Sequence, residues 1–352
     1  MRRTLPFVVA GLAMAIVPAG AQPQDRHRTI LRDTIRAAVG ERAYQGRTRG
    51  PEQTERFSRK VRIGRDGRVS IANVAGDITV TAGSGDEVSI EAIKRTRGDR
   101  SELANVQITV DERAGRIDIR TEGEQHRIDR LWRNNHVSVD YTVAVPASAS
   151  VEVHSVSGTV KVTGVHGSVR AETISGNVTT SDTPRLEMAK SVSGNVSLTG
   201  AAADTDLTAA SVSGTLTARG VKAHGLDLGS VSGDIVITDV TCDRLTIKSV
   251  SGNVEYSGAI ARAGRYEINS HSGTVRLVLA NPAGFELNAN SFSGSIRSEL
   301  PLTIGGDSSR RDRDTSRRRD SINSHNMRAT YGDGSATLMV RTFSGDIVID
   351  KR

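Results

Sequence analysis

A short motif, Ser-Val-Ser-Gly, recurs along the second half of this 352-residue chain at a nearly fixed interval. Five copies are identical and four are variants, among them Thr173 to Gly176 and Thr342 to Gly345. The glycines that end the first eight copies are 18 to 21 residues apart. This period is typical of one coil of a β-solenoid, in which each coil stacks only on its neighbours. The chain is therefore predicted to be all-β, with a β-solenoid of about 18–21-residue coils over residues 147–352.

Each repeat reads as two short strands that flank the glycine. In one repeat, Leu245, Ile247 and Ser249 share one parity, whereas Val250 and Val254 share the other. Because side chains alternate between the two faces of a strand, this change of parity predicts a bend or bulge between the serine and the valine.

An irregular β region is predicted before the solenoid, over residues 57–146. Apolar residues alternate with polar ones there, as in Val69 to Ile71 and Ile117 to Ile119, which is typical of half-buried strands. Two interpretations remain open. The region is either a separate small β-sandwich or the first, irregular coils of the solenoid.

The first 21 residues have the three parts of a secretory signal peptide. Arg2 and Arg3 precede an apolar stretch from Leu5 to Val17, and Ala19-Gly20-Ala21 fits a cleavage site. The apolar stretch is shorter than the roughly 20 residues that a membrane span needs, so the mature chain is expected to have no transmembrane segment. We expect an exported protein, located in the periplasm, on the cell surface or in the medium.

The formal net charge of +7 is concentrated near the N-terminus. Residues 22–60 hold ten Lys or Arg and five Asp or Glu, so residues 22–56 are interpreted as a basic segment and linker. An Arg- and Asp-rich stretch predicts a mobile insertion at about residues 305–334. Both segments are either solvated arms or contacts for an anionic envelope polymer. Nucleic acid is not an expected partner, because only 3% of residues are aromatic and few bases could stack on them.

The residue after each repeat glycine is small and polar. Stacked coils should bring these residues into one column, which gives two interpretations: hydrogen bonds between coils, or a regular polar surface that faces a ligand such as an envelope glycan. The candidate ligand-facing residues are Thr159, Asn177, Asn195, Thr215, Asp234, Asn253, Thr274 and Ser295.

Sequence motifs for catalysis or metal binding do not occur in the chain. There is no Gly-x-Ser-x-Gly, no paired-histidine spacing, no calcium loop and no phosphate-binding loop, and Cys242 is the only cysteine. The sequence therefore predicts no catalytic, cofactor-binding or metal-binding residue, no cofactor and no enzymatic activity.

Three groups of residues resemble a known family. Val69 to Val80, the serial Ser-Val-Ser-Gly units and Thr342 to Ile349 together resemble the bacterial putative-adhesin family, also called domain of unknown function 4097, over roughly residues 57–352. The resemblance implies a β-solenoid exported to the cell envelope, and it implies no catalytic residues.

The leading hypothesis is therefore an exported, non-enzymatic adhesin or cell-envelope scaffold. Its partner would be an envelope glycan, an anionic envelope polymer or another surface protein. Two alternatives belong to other classes: a polysaccharide-active parallel β-helix enzyme, and a sensor domain for an envelope component.

Overall fold

The computed structural model describes residues 51–123, 137–203, 206–280, 282–304 and 325–352. These residues lie in one compact unit, 49–352. The predicted signal peptide, most of the basic segment and the Arg-rich part of the predicted insertion lie outside the described residues.

The described residues form β-strands and one short helix, α1 (Ser101–Ala104). The strands are β1 (Gln53–Arg62), β2 (Arg68–Ala75), β3 (Ile78–Gly83), β4 (Glu87–Thr96), β5 (Val106–Arg113), β6 (Arg116–Gly123), β7 (Ser138–Pro146), β8 (Ser150–Ser157), β9 (Val160–Thr163), β10 (Val169–Ser175), β11 (Val178–Ser181), β12 (Leu186–Ser193), β13 (Val196–Thr199), β14 (Ala202–Ala203), β15 (Leu207–Ser213), β16 (Leu216–Arg219), β17 (Lys222–Ser232), β18 (Ile235–Ser251), β19 (Val254–Gly258), β20 (Arg265–Ser272), β21 (Val275–Leu279), β22 (Phe285–Ser293), β23 (Ile296–Ser298), β24 (Thr303–Ile304), β25 (Asn326–Tyr331), β26 (Ala336–Ser344) and β27 (Ile347–Lys351).

The repeats stack into two parallel sheets, as the sequence period predicts. Sheet I contains the strand before each repeat glycine, in the order β2, β8, β10, β12, β15, β17, β18, β20, β26, β22. Sheet II contains the strand after each glycine, in the order β3, β9, β11, β13, β16, β18, β19, β21, β27, β23. β18 is long enough to contribute to both sheets. The fold is a β-solenoid in which each coil gives one strand to each sheet.

The core lies between the two sheets. Leu245 and Ile247 of sheet I and Val254 and Tyr256 of sheet II are all buried. The intervening residues of both strands face outward, so the alternation along each strand is the direct result of its period-two sequence. Apolar residues in equivalent positions of every coil therefore form one continuous core.

The corner of each coil begins after the motif valine and includes the repeat glycine, because Val250 and Ser251 are both exposed; the bend predicted at the Ser-Val step is therefore wrong by one residue. Ser249 is buried and Val250 is exposed, so the alternation that begins at Leu245 runs through both residues without a break. The backbone turns at the glycine. Gly194, for example, has φ +150°, and a Cβ there would overlap the carbonyl oxygen of Gly176 in the preceding coil.

The order of coils in space departs from the order in sequence near the C-terminal end. β26 and β27 lie between the coil of β20 and β21 and the coil of β22 and β23. The coil that comes last in sequence therefore occupies an internal place, and β22 and β23 are displaced outward by one coil.

A similar exchange occurs at the other end. β2 pairs with both β6 and β8, and β3 pairs with both β7 and β9, so β2 and β3 form a coil inside the stack while β6 and β7 lie outside it. Both ends are covered by antiparallel strands: β5, β4 and β1 at this end, and β25 and β24 at the other. Part of the region 57–146 thus belongs to the solenoid itself.

The end of the predicted insertion is ordered into a strand. Asn326–Tyr331 forms β25, which pairs antiparallel with β22, and Gly332 and Gly334 turn the chain into β26. In this strand the alternate residues Met327 and Ala329 are buried. They supply the apolar face that the sequence of the preceding Arg-rich stretch lacks.

Candidate functional site

The predicted ligand-facing residues occupy one column at the start of the sheet II strands. Each follows a repeat glycine directly, and each is exposed or half-exposed. In spatial order the column reads Asp140, Asp77, Thr159, Asn177, Asn195, Thr215, Asp234, Asn253, Thr274, Asp346 and Ser295. We call this column the Asx ladder.

The Asn and Asp side chains of the ladder bind the backbone of the next coil. Oδ1 of Asn177 accepts a hydrogen bond from the amide of Asn195 at 2.8 Å, and Oδ1 of Asn195 accepts one from the amide of Thr215 at 2.9 Å. Oδ1 of Asp234 and Oδ1 of Asn253 do the same with the next amides, at 2.8 and 3.0 Å. The geometry shows hydrogen bonding between coils, and the ligand-facing interpretation of this column stays a prediction.

The ladder is divided into segments by its threonine and serine members. Asp140 binds the amide of Asp77, and Asp77 binds the amide of Thr159, so each of the first three segments reads Asx-Asx-Thr. Threonine has a shorter side chain, and the described contacts show no threonine oxygen on the next amide. The last segment is Asp346, whose Oδ1 accepts from both the amide and the hydroxyl of Ser295, at 2.7 and 2.9 Å.

These two bonds lower the pKa of Asp346 below its ordinary value, because backbone and side-chain donors stabilise the carboxylate. The Oδ1 atoms of the Asn and Asp members of the ladder are therefore engaged within the protein.

The first serine of each motif forms a second column, which points inward. Ser191 and Ser211 are buried, and their hydroxyls donate to the carbonyl oxygens of Gly176 and Gly194 at 2.8 and 2.9 Å. The hydroxyl thus satisfies a backbone acceptor at the corner of the preceding coil. The repeated serine has a structural role where it makes this bond.

The valine of each motif forms a third column, which lies on the surface, although the predicted change of parity puts Val250 on the same face as the buried Val254. In spatial order the column contains Val74, Val156, Ile174, Val192, Val212, Val231, Val250, His271, Phe343 and Phe292. From Ile174 to Val250 the exposed fractions are 45–53%, and the exposed fraction of Phe292 is 69%. We call this column the apolar stripe. With about 4.8 Å between coils it is about 43 Å long.

The apolar stripe ends in three stacked aromatic rings. The ring centroids of His271 and Phe343 are 4.9 Å apart with an interplanar angle of 8°, and those of Phe343 and Phe292 are 4.8 Å apart with an angle of 5°. The separation equals the distance between coils, so each ring covers a face of the next and the ring edges point outward.

Two polar rows flank the stripe. On one side lies the second serine of each motif, as in Ser193 and Ser213, which is exposed. On the other side lies the residue before the first serine, and this row reads Ala72, His154, Glu172, Lys190, Ala210, Gly229, Lys248, Asn269, Arg341 and Asn290 in the same spatial order. A contiguous apolar surface with polar rows on both sides is typical of a protein-contact surface.

The family model for the Toastrack domain, DUF4097, matches residues 66–350. The chain belongs to the Toastrack family. This match spans the whole solenoid, including both exchanged coils.

Solved structures similar to this Toastrack chain come from several bacteria. A putative adhesin from Bacteroides fragilis is 11% identical with a TM-score of 0.36, and the match covers 84% of this chain and 97% of that one. A putative lipid binding protein from Parabacteroides distasonis is 13% identical with a TM-score of 0.37, covering 85% and 97%. A putative cell adhesion protein from Clostridium sporogenes is 10% identical with a TM-score of 0.21, covering 85% and 100%. No curated protein matches the chain.

The most strongly shifted ionisable groups of this Toastrack chain lie in its core. Burial raises the pKa of Cys242 and that of Tyr266 to about 12, and it raises the pKa of Tyr256 further. The Tyr256 hydroxyl donates to the carbonyl of Ala259 at 2.7 Å, and the Tyr266 hydroxyl donates to the carbonyl of Cys242 at 2.9 Å. The two tyrosine hydroxyls thus have hydrogen-bond partners inside the protein, and all three side chains are part of its packing.

Within the described ranges, no three His, Cys, Asp or Glu side chains are grouped so that they could hold a metal ion. The same ranges contain no helix that is long and apolar enough to span a membrane.

Proposed function

We propose that this protein is an exported, non-enzymatic binding protein, an adhesin or cell-envelope scaffold, and that it contacts its partner through the apolar stripe. The observation that carries the proposal is the exposure of an apolar side chain in every central coil, from Ile174 to Val250. Each of these side chains would lose contact with water on binding, which is favourable by about 25 cal/mol for each Å² that is buried.

The chemistry of the stripe favours one class among the expected partners. An anionic polymer requires positive charge, and a glycan requires a dense set of hydrogen-bonding groups, whereas the stripe offers aliphatic side chains between polar rows. Protein interfaces have this composition, with an apolar centre and a polar rim. Another surface protein is therefore the favoured partner.

Support for export comes from the N-terminal sequence, with its two arginines, apolar stretch and small residues before Gln22. A rigid face about 43 Å long suits repeated contacts, in which several weak apolar contacts act together. The Oδ1 atoms of the Asn and Asp members of the Asx ladder bind neighbouring coils, whereas the stripe side chains from Ile174 to Val250 are 45–53% exposed.

The test is the retention of envelope vesicles by the immobilised, exported protein. We expect retention to fall when the vesicles are treated with protease and to change little with added salt. The double variant V212D/V231D should lose most retention, whereas V236D, on the outer face of sheet II, should keep it.

Three results would count against the proposal. Retention that persists after protease treatment but is lost after glycan oxidation would assign a glycan partner, and steep salt dependence would assign an anionic polymer. Hydrolysis of envelope polysaccharide by the purified protein, abolished by one carboxylate substitution with the fold intact, would assign an enzyme.

A further inference from the structure

We infer that the partner of the apolar stripe is a second copy of this chain, which packs stripe against stripe in an antiparallel two-fold dimer. The inference rests on the proposed function, because it names the partner of the same surface. Period, area and charge support it independently.

The spacing of the side chains in the stripe of one copy equals the spacing in the stripe of a second copy. The members of the stripe are spaced by one coil, about 4.8 Å, over ten consecutive coils. Side chains of one regular row fit between those of another only if the two rows have the same spacing, as in the dry interfaces between stacked β-sheets. An identical copy has this spacing throughout, and a two-fold axis allows every contact to be made twice.

The area is sufficient for a stable pair. The stripe and the polar row on each side cover about 43 Å by about 15 Å, which is on the order of 650 Å² for each copy. Specific interfaces bury about 800 Å² for each partner, so a pair of this size belongs near the lower part of the standard range. An affinity in the micromolar range is expected.

The row that precedes the first serine of each motif, which contains Glu172 and Lys248, selects the antiparallel arrangement. When the two-fold axis passes through Val212, coils equally distant from Val212 face each other, and Glu172 lies opposite Lys248 of the second copy. Lys190 then lies opposite Gly229 of the second copy.

The remaining pairs are also compatible. His154 lies opposite Asn269, Ala72 lies opposite Arg341, and Ala210 meets its own equivalent at the axis. No two like charges of this row meet, and one pair of opposite charges does. Complementary charges of this kind fix the register of an interface.

Small residues flank the centre of this arrangement. Ala210 and Gly229 lie beside Val212 and Val231. Ala210 and Gly229 project less far from the sheet than Lys190 and Lys248 in the same row. The central valines of one copy can therefore reach the backbone beside the valines of the other.

The experiment measures the mass of the purified, exported full chain by sedimentation equilibrium up to about 100 µM. A dimer is expected for the natural chain and for V236D. The variant V212D/V231D should be a monomer with unchanged circular dichroism, since both valines are exposed and their loss leaves the core intact. The milder V212S/V231S should weaken the dimer at least tenfold.

The charge pair tests the arrangement itself. E172K should weaken the dimer at least tenfold by placing two lysines opposite each other, and the double variant E172K/K248E should restore it. A natural chain that stays monomeric at all concentrations would overturn the inference, as would dimers of V212D/V231D or no effect of E172K.

Failure of this inference is distinguishable from failure of the proposed function. A monomeric chain whose stripe-dependent vesicle retention remains would overturn self-association and leave the proposed function standing. A natural chain that is a monomer but forms a stripe-dependent dimer after deletion of residues 22–50 would assign the stripe to that segment and would also overturn the inference.

Discussion

Replacing single members of the Asx ladder by alanine should lower stability in a pattern set by residue type. Asn195 holds the amide of Thr215 through one Oδ1 bond of 2.9 Å, whereas the described contacts give the Thr215 side chain no bond to the next coil. The variant N195A therefore removes one inter-coil bond, and T215A removes none. The two residues lie in adjacent coils at equivalent positions, so they form a matched pair.

The magnitude follows from the contact. An intramolecular hydrogen bond contributes a net 0.5–1.5 kcal/mol, so about 1 kcal/mol is expected for N195A. T215A should change the free energy of unfolding by less than about 0.5 kcal/mol. N253A, which removes the 3.0 Å bond to the amide of Thr274, should match N195A.

Asn195 and Asn253 are three coils apart, about 14 Å, so the double variant should lose about 2 kcal/mol. The measurement is urea unfolding followed by far-ultraviolet circular dichroism, with the midpoint compared at constant slope. A loss for T215A equal to that for N195A would refute the reasoning, because the threonine would then contribute what only the asparagine should.

Other predictions concern the core, the corner and pH. V196D should lower the free energy of unfolding by about 4 kcal/mol or more, because Val196 has no exposed surface and an unpaired carboxylate would be buried there. N195D should lower it by less than about 1 kcal/mol, since a carboxylate also accepts the amide hydrogen bond. Equal shifts in melting temperature would contradict this assignment of faces. G194A should lower the free energy of unfolding by at least about 2 kcal/mol, because the new Cβ would overlap a backbone carbonyl of the preceding coil. An unchanged melting temperature would count against the corner geometry. The hydrogen bonds from Ser295 lower the pKa of Asp346 in the folded state. The contribution of Asp346 to stability is therefore present above the ordinary aspartate pKa of about 4 and is lost as pH falls below it. D346N should make stability less dependent on pH between about 5 and 2, and identical acid unfolding profiles would argue against those bonds.

The sequence predicted the architecture because the repeat carries its own period and its own faces. The spacing of the glycines predicts the coil length, and the alternation at Leu245 and Ile247 predicts the core face of sheet I. Both signals are local, and the two parallel sheets confirm them.

The valine column was missed for a physical reason. A valine on the surface reverses the usual preference, so the hydrophobicity of Val250 led to a change of parity after Ser249, whose own face is predicted correctly. The structure explains the buried serine at the positions where its hydroxyl, like those of Ser191 and Ser211, donates to a backbone carbonyl of the preceding coil. Unbroken alternation from Leu245 to Val250 was the available signal.

The order of the coils could not be predicted from the repeat. Every coil has nearly the same length and the same inward residues, so any coil can pair with any other as far as the pattern shows. The exchange of β26 and β27 with β22 and β23 depends on contacts between residues far apart in sequence, such as Arg265 with Thr337.

The internal place of β26 and β27 has a consequence for assembly. Coils as far as β21 can be added one at a time as the chain is made, each on an edge that already exists. β22 has no such edge, because its parallel neighbour is β26 and not β20. Its docking has to wait for residues more than 40 positions further along the chain, and it then requires closure of long loops, which slows folding.

Strands β22 to β27 should therefore join the stack in one late, concerted step. A chain that lacks β26 and β27 would leave β20 with an open strand edge and β22 without its parallel partner. Open edges of this kind pair readily with strands of other molecules. Incomplete chains of this protein should thus aggregate through the open edges of β20 and β22, whereas chains shortened at an outer strand such as β1 would only move the edge inward.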